Sequence, residues 1–134
     1  MIVGIDPGER RIGVAIADLE TRFARPLEVI DTKTTDPVTR IIEIVTENDV
    51  GKIVIGRPVG MSGAAGAAVE RQQGLVTALR SACDIEIVEY DERLTTVMAN
   101  QALRAAGRST RTTKDIRDSV AAQILLQNYL DSSR

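Results

Sequence analysis

The acidic side chains that could carry chemistry in this chain fall into three separated groups. Asp6 ends a short apolar run, Asp91 and Glu92 follow a second one, and Asp115 and Asp118 lie three residues apart near the end. Carboxylate oxygens are the ligands that Mg²⁺ and Mn²⁺ prefer. Two such ions about 4 Å apart can activate water and stabilise the leaving oxygen of a phosphodiester. The pattern predicts a metal-dependent hydrolase acting on phosphate esters.

Each acidic group also has a purely structural explanation. Asp6 can accept backbone N–H groups in a turn at Pro7 and Gly8, and Asp91 with Glu92 can form a local ion pair with the next residue, an arginine. Asp115 suits the first turn of a helix. Asp118, three residues later, precedes a run of small residues that would let a helix pack closely. An acid on a closely packed face needs a partner. The convergence of three groups favours the functional interpretation.

The absence of histidine narrows the chemistry. With no His among 134 residues, His-based acid–base catalysis and His-ligated zinc are excluded, which leaves carboxylates as the metal ligands. The single Cys83 cannot form an internal disulfide and fits a reducing compartment. We expect a cytoplasmic protein without a membrane span or signal peptide, because no apolar run is long enough and a strand begins at once.

The elements that must position the acids follow from apolar periodicity, from turn residues and from Asp36-Pro37, which suits an N-cap and first helical position. Strands are predicted over residues 2–6, 11–18, 27–30, 52–56 and 85–88, and helices over 37–48, 67–81, 95–106 and 114–130. This order predicts a single α/β domain over residues 1–134, with a mixed five-stranded sheet between helices on both faces. The first three strands are antiparallel and the first strand is central. Sites in such sheets gather beyond the carboxyl ends of the parallel strands.

Basic residues that could contact a phosphate backbone surround the acidic groups. The net charge is −2, but five of the six charged residues from Arg104 to Arg117 are basic, Asp115 being the exception. A solvated helix end is the alternative explanation for this run. Only one Phe and two Tyr are present, so we expect recognition through backbone and shape rather than base stacking. The candidate nucleic-acid contacts are Arg11, Arg57, Arg93, Arg108, Arg111 and Lys114.

Four motifs resemble those of the bacterial YqgF family, also called RuvX. In chain order they cover residues 4–15 (GIDPG and RIGVA), 56–63 (GRPVGMSG), 91–96 (DERLTT) and 118–122 (DSVAA). The resemblance implies a ribonuclease-H-like fold and a metal-dependent nuclease that matures the 5′ end of precursor 16S ribosomal RNA. An older assignment of the family is Holliday-junction resolvase, by similarity to RuvC.

The resemblance also implies a set of site residues. Asp6 matches the family's first-strand acid, Glu92 its second acid with Asp91 as a rival, and Asp118 the acid of the last helix. Asp115 is similar to one member of the paired acids in the last helix of RuvC and is secondary. RuvC resolvases carry their second acid at the end of the fourth strand, where this chain has Gly-Arg. The site would therefore be completed from the fifth strand.

Several functions fit the sequence. The leading hypothesis is an Mg²⁺- or Mn²⁺-dependent nuclease acting on precursor ribosomal RNA, with branched DNA as the alternative substrate. A non-catalytic module that binds RNA or protein is a third hypothesis. An actin-like phosphotransferase is a fourth, but it needs a second lobe for which this length leaves no room. The sequence leaves open whether the chain is a monomer or a homodimer.

Overall fold

The computed structural model describes residues 1–58, 63–91 and 110–132, and the side chains of all of these except 63–65 and 110–119. The strands are β1 (Ile2–Asp6), β2 (Arg11–Ala17), β3 (Ala24–Asp31), β4 (Lys52–Arg57) and β5 (Glu86–Asp91). The helices are α1 (Pro37–Glu47), α2 (Gly63–Ala82) and α3 (Thr110–Ser132). The predicted helix over residues 95–106 lies outside the described residues.

The described strands form one mixed sheet with the order β3-β2-β1-β4-β5. β2 pairs antiparallel with both β1 and β3, whereas β4 pairs parallel with β1 and β5. The predicted mixed sheet with an antiparallel start and a central first strand is therefore confirmed. β1, β4 and β5 point the same way, so their carboxyl ends share one edge of the sheet.

Helices cover both faces of the sheet, and alternate residues of each strand pack against different helices. Val3 and Ile5 of β1 belong to a core cluster with Ile41 of α1 and Leu79 of α2; we call this side the α1–α2 face. Ile2 belongs to a second cluster with residues of α3, and we call that side the α3 face. The period of two along a strand thus assigns every strand residue to one face.

Helix α1 begins where the sequence predicts it. The Asp36 carboxylate accepts a hydrogen bond from the Thr39 backbone N–H at 3.2 Å, and Pro37 occupies the start of the helix, where its missing N–H is not needed. The Thr39 hydrogen bonds hold the pKa of Asp36 below its ordinary value. Ile41 and Ile44 are fully buried against the sheet. The N-cap and the buried apolar face are thus both consistent with a helix that begins at Pro37.

Several predicted boundaries are wrong because they rest on apolar periodicity alone. β3 begins at Ala24 rather than residue 27; its exposed Pro26 is tolerated because β3 is an edge strand. α2 begins at Gly63 rather than residue 67. α3 begins at Thr110 rather than residue 114, so residues 110–113, which the prediction leaves between two helices, are helical. The first turn of α2 contains only Gly and Ala and that of α3 only Thr and Arg, so neither has the large apolar residues that the prediction requires.

The end of β5 differs from the prediction in a way that affects the site. The strand covers Glu86–Asp91, whereas the sequence predicts residues 85–88. By residue type, Glu89 and Asp91 are expected to lie beyond the end of the strand. In the structure both pair with β4, opposite Ile55 and Arg57. Parallel pairing with β4 overrides the weak strand propensity of these acidic residues. In the part of the chain that the structure describes, no helix is long and apolar enough to cross a membrane.

Candidate metal and nucleic-acid site

Asp6 ends the central strand at the edge where the parallel strands terminate. It pairs with Gly13 of β2 and alternates with Ile5, which packs on the α1–α2 face. Asp6 therefore belongs to the α3 face, together with Ile2 and Gly4. Its side chain is partly buried. A carboxylate at this position can present its oxygens to a cation while the strand backbone holds it in place.

Helix α3 lies unusually close to β1 next to Asp6. A Cβ added at Gly4 would lie 2.7 Å from Leu126 Cβ and 3.2 Å from the Ala122 carbonyl oxygen. Both of these residues are fully buried. A glycine on the strand facing an alanine on the helix permits this approach, as the run of small residues after Asp118 predicts.

The direction of α3 brings its earlier turns toward the Asp6 end of β1. Lys52, which pairs with Ile2 at the start of β1, donates to the Tyr129 hydroxyl at 3.2 Å. Gly4 then meets Ala122, so moving toward the helix N-terminus means moving along β1 toward Asp6. Asp118 precedes Ala122 by four residues, close to one helical turn. Asp115 lies nearly one turn further; the side chains of both acids are outside the described part.

Asp91 lies on the other face of the sheet. Tyr90 pairs with Gly56 and packs against the α3 cluster, whereas Glu89 bonds to side chains of α2. Asp91 alternates with Tyr90 and so belongs to the α1–α2 face, where it is exposed. Among the candidate ligands with described side chains, the fold thus separates Asp6 from Asp91. Glu92 lies outside the described residues.

A polar cluster that the sequence analysis missed joins α2 to β5. Gln72 is fully buried and donates to Glu89 Oε1 at 2.9 Å. Gln73 donates to the same oxygen at 2.7 Å and to Gln72 Oε1 at 2.7 Å. The Gln72 hydrogen bond, then that of Gln73 and the charges of Arg57 and Arg80, hold the pKa of Glu89 below its ordinary value against the effect of burial. The sequence signal that could have revealed this cluster is Gln72, a polar residue on the buried side of α2.

The candidate phosphate contacts divide between the two faces. Arg11 lies two residues from Gly13, the partner of Asp6, so Arg11 and Asp6 share the α3 face as diagonal neighbours. Arg57 is exposed at the end of β4 on the opposite face. Two others, Arg93 and Arg108, are outside the described residues. The last two, Arg111 and Lys114, lie in the first turns of α3 and their side chains are not described.

The described residues do not by themselves gather a complete ligand set. Among them, no three Asp, Glu, Cys or His side chains come together in a way that could hold a metal ion. Asp6 is the one member of the predicted triad whose side chain is described. Its carboxylate chemistry fits a hard cation, and the helix that carries Asp118 leads toward it.

Comparison with known proteins identifies the family. A model of the RuvX family, described as Holliday junction resolvase, matches residues 1–132. The chain belongs to the RuvX family. This confirms the resemblance found in the four sequence motifs and places the chain in a family of nucleases.

Relatives match over nearly the full length of the chain. One from Chloroflexus aggregans is 42% identical over 134 residues, covering 99% of this chain and 94% of the relative. Another from Ruminiclostridium cellulolyticum is 39% identical over 132 residues, covering 97% and 93%. Both bear the name "Putative pre-16S rRNA nuclease".

Solved structures confirm the ribonuclease-H-like fold of this RuvX chain. Thermus thermophilus RuvC in complex with a Holliday junction substrate matches with a TM-score of 0.60 at 18% identity, covering 98% of this chain and 94% of that one. The fowlpox virus Holliday junction resolvase matches with a TM-score of 0.56 at 9% identity, covering 98% of each chain. At these identities the likeness concerns the fold.

Proposed function

We propose that this RuvX chain is a nuclease dependent on Mg²⁺ or Mn²⁺ that cleaves precursor 16S ribosomal RNA at its 5′ end. Asp6, Glu92 and Asp118 are the proposed metal ligands, within a single nuclease domain over residues 1–134. The substrate rests on the names of relatives about 40% identical to this chain. Asp115 has a secondary role as a neighbouring acid in the same helix.

One observation carries the proposal. Asp6 ends the central strand on the α3 face, and two residues earlier Gly4 lets α3 approach until an added Cβ would lie 2.7 Å from Leu126 Cβ. This close contact fixes the helix relative to β1. A strand advances about 6.6 Å in two residues and a helix about 6 Å in four, so the steps from Gly4 to Asp6 and from Ala122 to Asp118 nearly match.

The alternation of β5 favours Glu92 over Asp91 as the second ligand. Asp91 belongs to the α1–α2 face and Tyr90 to the α3 face. Asp91 therefore lies on the face opposite to Asp6, which argues against Asp91 as a ligand of the same ion and leaves Glu92 as the second acid. The register thus supports the assignment that the family resemblance implies.

The carboxylates and Arg11 have different roles in the proposed phosphodiester hydrolysis. Asp6, Glu92 and Asp118 would hold the cation, which when bound would supply a water of lowered pKa and a positive charge for the leaving oxygen. Asp6 and the helical backbone at Asp118 would keep their relative position because β1 and α3 are closely packed at Gly4. Arg11, on the same face as Asp6, offers a guanidinium to a non-bridging phosphate oxygen, a contact that is strong when bidentate.

The test is cleavage of precursor 16S RNA by purified protein with Mn²⁺, comparing wild type, Asp6→Asn and Asp84→Asn. We expect Asp6→Asn to lose more activity than the roughly 100-fold that removal of an outer-shell metal partner costs. Asp84→Asn, a change of the same type at an exposed residue, retains wild-type activity. Titration calorimetry with Mn²⁺ measures binding independently of activity. Equal cleavage by wild type and Asp6→Asn contradicts the proposed site.

A second candidate substrate is branched DNA, favoured by the likeness to RuvC solved with a Holliday junction. The same protein preparation, offered a four-way DNA junction and precursor ribosomal RNA, distinguishes the two. If the protein cleaves the DNA junction symmetrically and leaves the RNA intact, branched DNA rather than ribosomal RNA is the substrate. Tight binding of RNA that is insensitive to Asp6→Asn, without turnover, points instead to a binding module.

A further inference from the structure

A cavity of about 220 Å³ lies directly behind the turn that follows Asp6. It is on the α1–α2 face, enclosed by the β1–β2 turn at Pro7 and Gly8, the start of α1 at Pro37 and Val38, and the middle of α2. None of these residues belongs to the proposed metal site. The cavity is therefore a separate feature at the same edge of the sheet.

We propose that this cavity receives one unpaired base of a bound nucleic-acid strand. The proposal rests on the nuclease function above and adds a substrate feature to it: an extruded or single-stranded nucleotide close to the cleaved phosphate. Such a pocket recognises a base after it leaves the stack, and it costs least when the base is already unpaired.

The position of the cavity supports a nucleotide rather than an unrelated small molecule. Residues 7–9 line it and follow Asp6 without interruption. Gly8 holds this turn tightly, because a Cβ there would lie 2.3 Å from the Arg11 carbonyl oxygen. The Thr32 hydroxyl donates to the Glu9 carbonyl oxygen at 3.1 Å and secures the turn from β3. Because the cavity is on the α1–α2 face and Asp6 is on the α3 face, a strand whose phosphate is at Asp6 reaches the cavity by crossing the sheet edge over the turn at residues 7–9.

The size and lining of the cavity suit one flat ring system. Its volume is below the roughly 300 Å³ at which pockets for drug-sized ligands begin. Pro7, Pro37, Val38 and Leu75 supply apolar walls, which pack against the faces of an extruded base. With one Phe and two Tyr in the whole sequence, and none of them in this lining, an apolar slot takes the place of an aromatic platform.

Arg71 supplies a cation beside the cavity. It lines the cavity from α2 and is partly buried. Within the described ranges its guanidinium makes no hydrogen bond or ion pair with another residue. A guanidinium that is not engaged by another described residue can bind the phosphate next to an inserted base.

Gly74 offers a way to fill the cavity without disturbing the fold. It lines the cavity, and a Cβ added there meets no atom within 4 Å. Gly66, in the same helix but outside the lining, has equally open surroundings. Leucine at either position raises helix propensity by a similar amount. Gly66→Leu is thus a matched control for Gly74→Leu.

The experiment measures binding, in Ca²⁺ without turnover, of two RNA hairpins that differ only in a bulged 2-aminopurine. Because the leucine side chain would occupy the space of the inserted base, we expect Gly74→Leu to weaken binding of the bulged hairpin about tenfold or more, which corresponds to about 1.4 kcal/mol. The fully paired hairpin should bind equally to all three proteins. The fluorescence change of 2-aminopurine on binding should persist with wild type and Gly66→Leu and disappear with Gly74→Leu. Melting temperatures of both variants that equal or exceed that of wild type verify that the variants are folded.

The outcomes separate this proposal from the nuclease function. If wild type cleaves RNA but Gly74→Leu and Gly66→Leu bind the bulged hairpin equally, the base pocket is wrong and the nuclease stands. If Gly74→Leu weakens both hairpins equally, the cavity contacts the backbone and not a base, which also overturns the proposal. If wild type binds neither hairpin and cleaves no RNA, both proposals fail together.

Discussion

Asp6 and Asp91 lie on opposite faces of the sheet, although each is the last residue of its strand. The register Gly56 with Tyr90 and Arg57 with Asp91 produces this separation. Tyr90 joins Gly4 and Ile2 on the α3 face, while Asp91 points with Glu89 toward the side of α2. Two acids that look equivalent in the sequence motif therefore have different surroundings.

This separation predicts different effects of two conservative substitutions. Glu92→Gln should reduce Mn²⁺-dependent cleavage on the order of 100-fold or more, as for loss of a metal ligand, whereas Asp91→Asn should change it less than about tenfold. The measurement is single-turnover cleavage at saturating protein over a range of Mn²⁺ concentrations. If Asp91→Asn is the more damaging of the two, Asp91 is the ligand and the register that places it on the α1–α2 face is wrong.

The close contact between β1 and α3 predicts that Gly4→Ala is destabilising. The new Cβ would lie 2.7 Å from Leu126 Cβ and 3.2 Å from a backbone oxygen, so the helix must shift. Overpacking of this kind costs about 1–3 kcal/mol in the free energy of unfolding. Urea denaturation measures it, and nuclease activity should fall as well, because the shift moves the helix carrying Asp118.

Gly51→Ala is the matched control for that experiment. A Cβ at Gly51 meets no atom within 4 Å, so its free energy of unfolding should stay within about 0.5 kcal/mol of wild type. Equal stability of Gly4→Ala and Gly51→Ala would show that α3 does not approach β1 as closely as described.

The open surroundings of the two α2 glycines predict a gain in stability. Gly66→Ala and Gly74→Ala should each raise the free energy of unfolding by up to about 1 kcal/mol, because alanine loses less backbone entropy in a helix. The sites are eight residues apart and share no neighbour within 4 Å, so the gains should add. A double variant no more stable than wild type in urea would contradict the helical assignment of this segment.

The hydrogen bonds of Glu89 predict a dependence of stability on acid. Since its pKa is lower in the folded protein than its ordinary 4.5, the ionised carboxylate stabilises the fold above that pH. This contribution is lost as the pH falls through the lowered pKa. Urea denaturation of wild type and Glu89→Gln between about pH 6 and about pH 3 measures it, and wild type should lose more stability over that interval. Parallel pH profiles would show that Glu89 does not titrate abnormally.

The sequence by itself determined the N-terminal hairpin, the Asp36 cap of α1, the central position of β1 and the family. These follow from local signals: an apolar run closed by Pro-Gly, an N-cap followed by proline, and short antiparallel connections. It also singled out Asp6, because an acid that ends an apolar strand is conspicuous without any tertiary contact.

Only the tertiary structure decided which face each site residue occupies. The assignment of Asp91 depends on the parallel register of β5 on β4, and a shift of one residue would reverse it. The fit of Gly4 against α3 and the cavity beside Gly74 likewise arise where distant segments meet. Local propensity carries no information about register or about the space between elements, so these features could not be predicted from residue types and spacing.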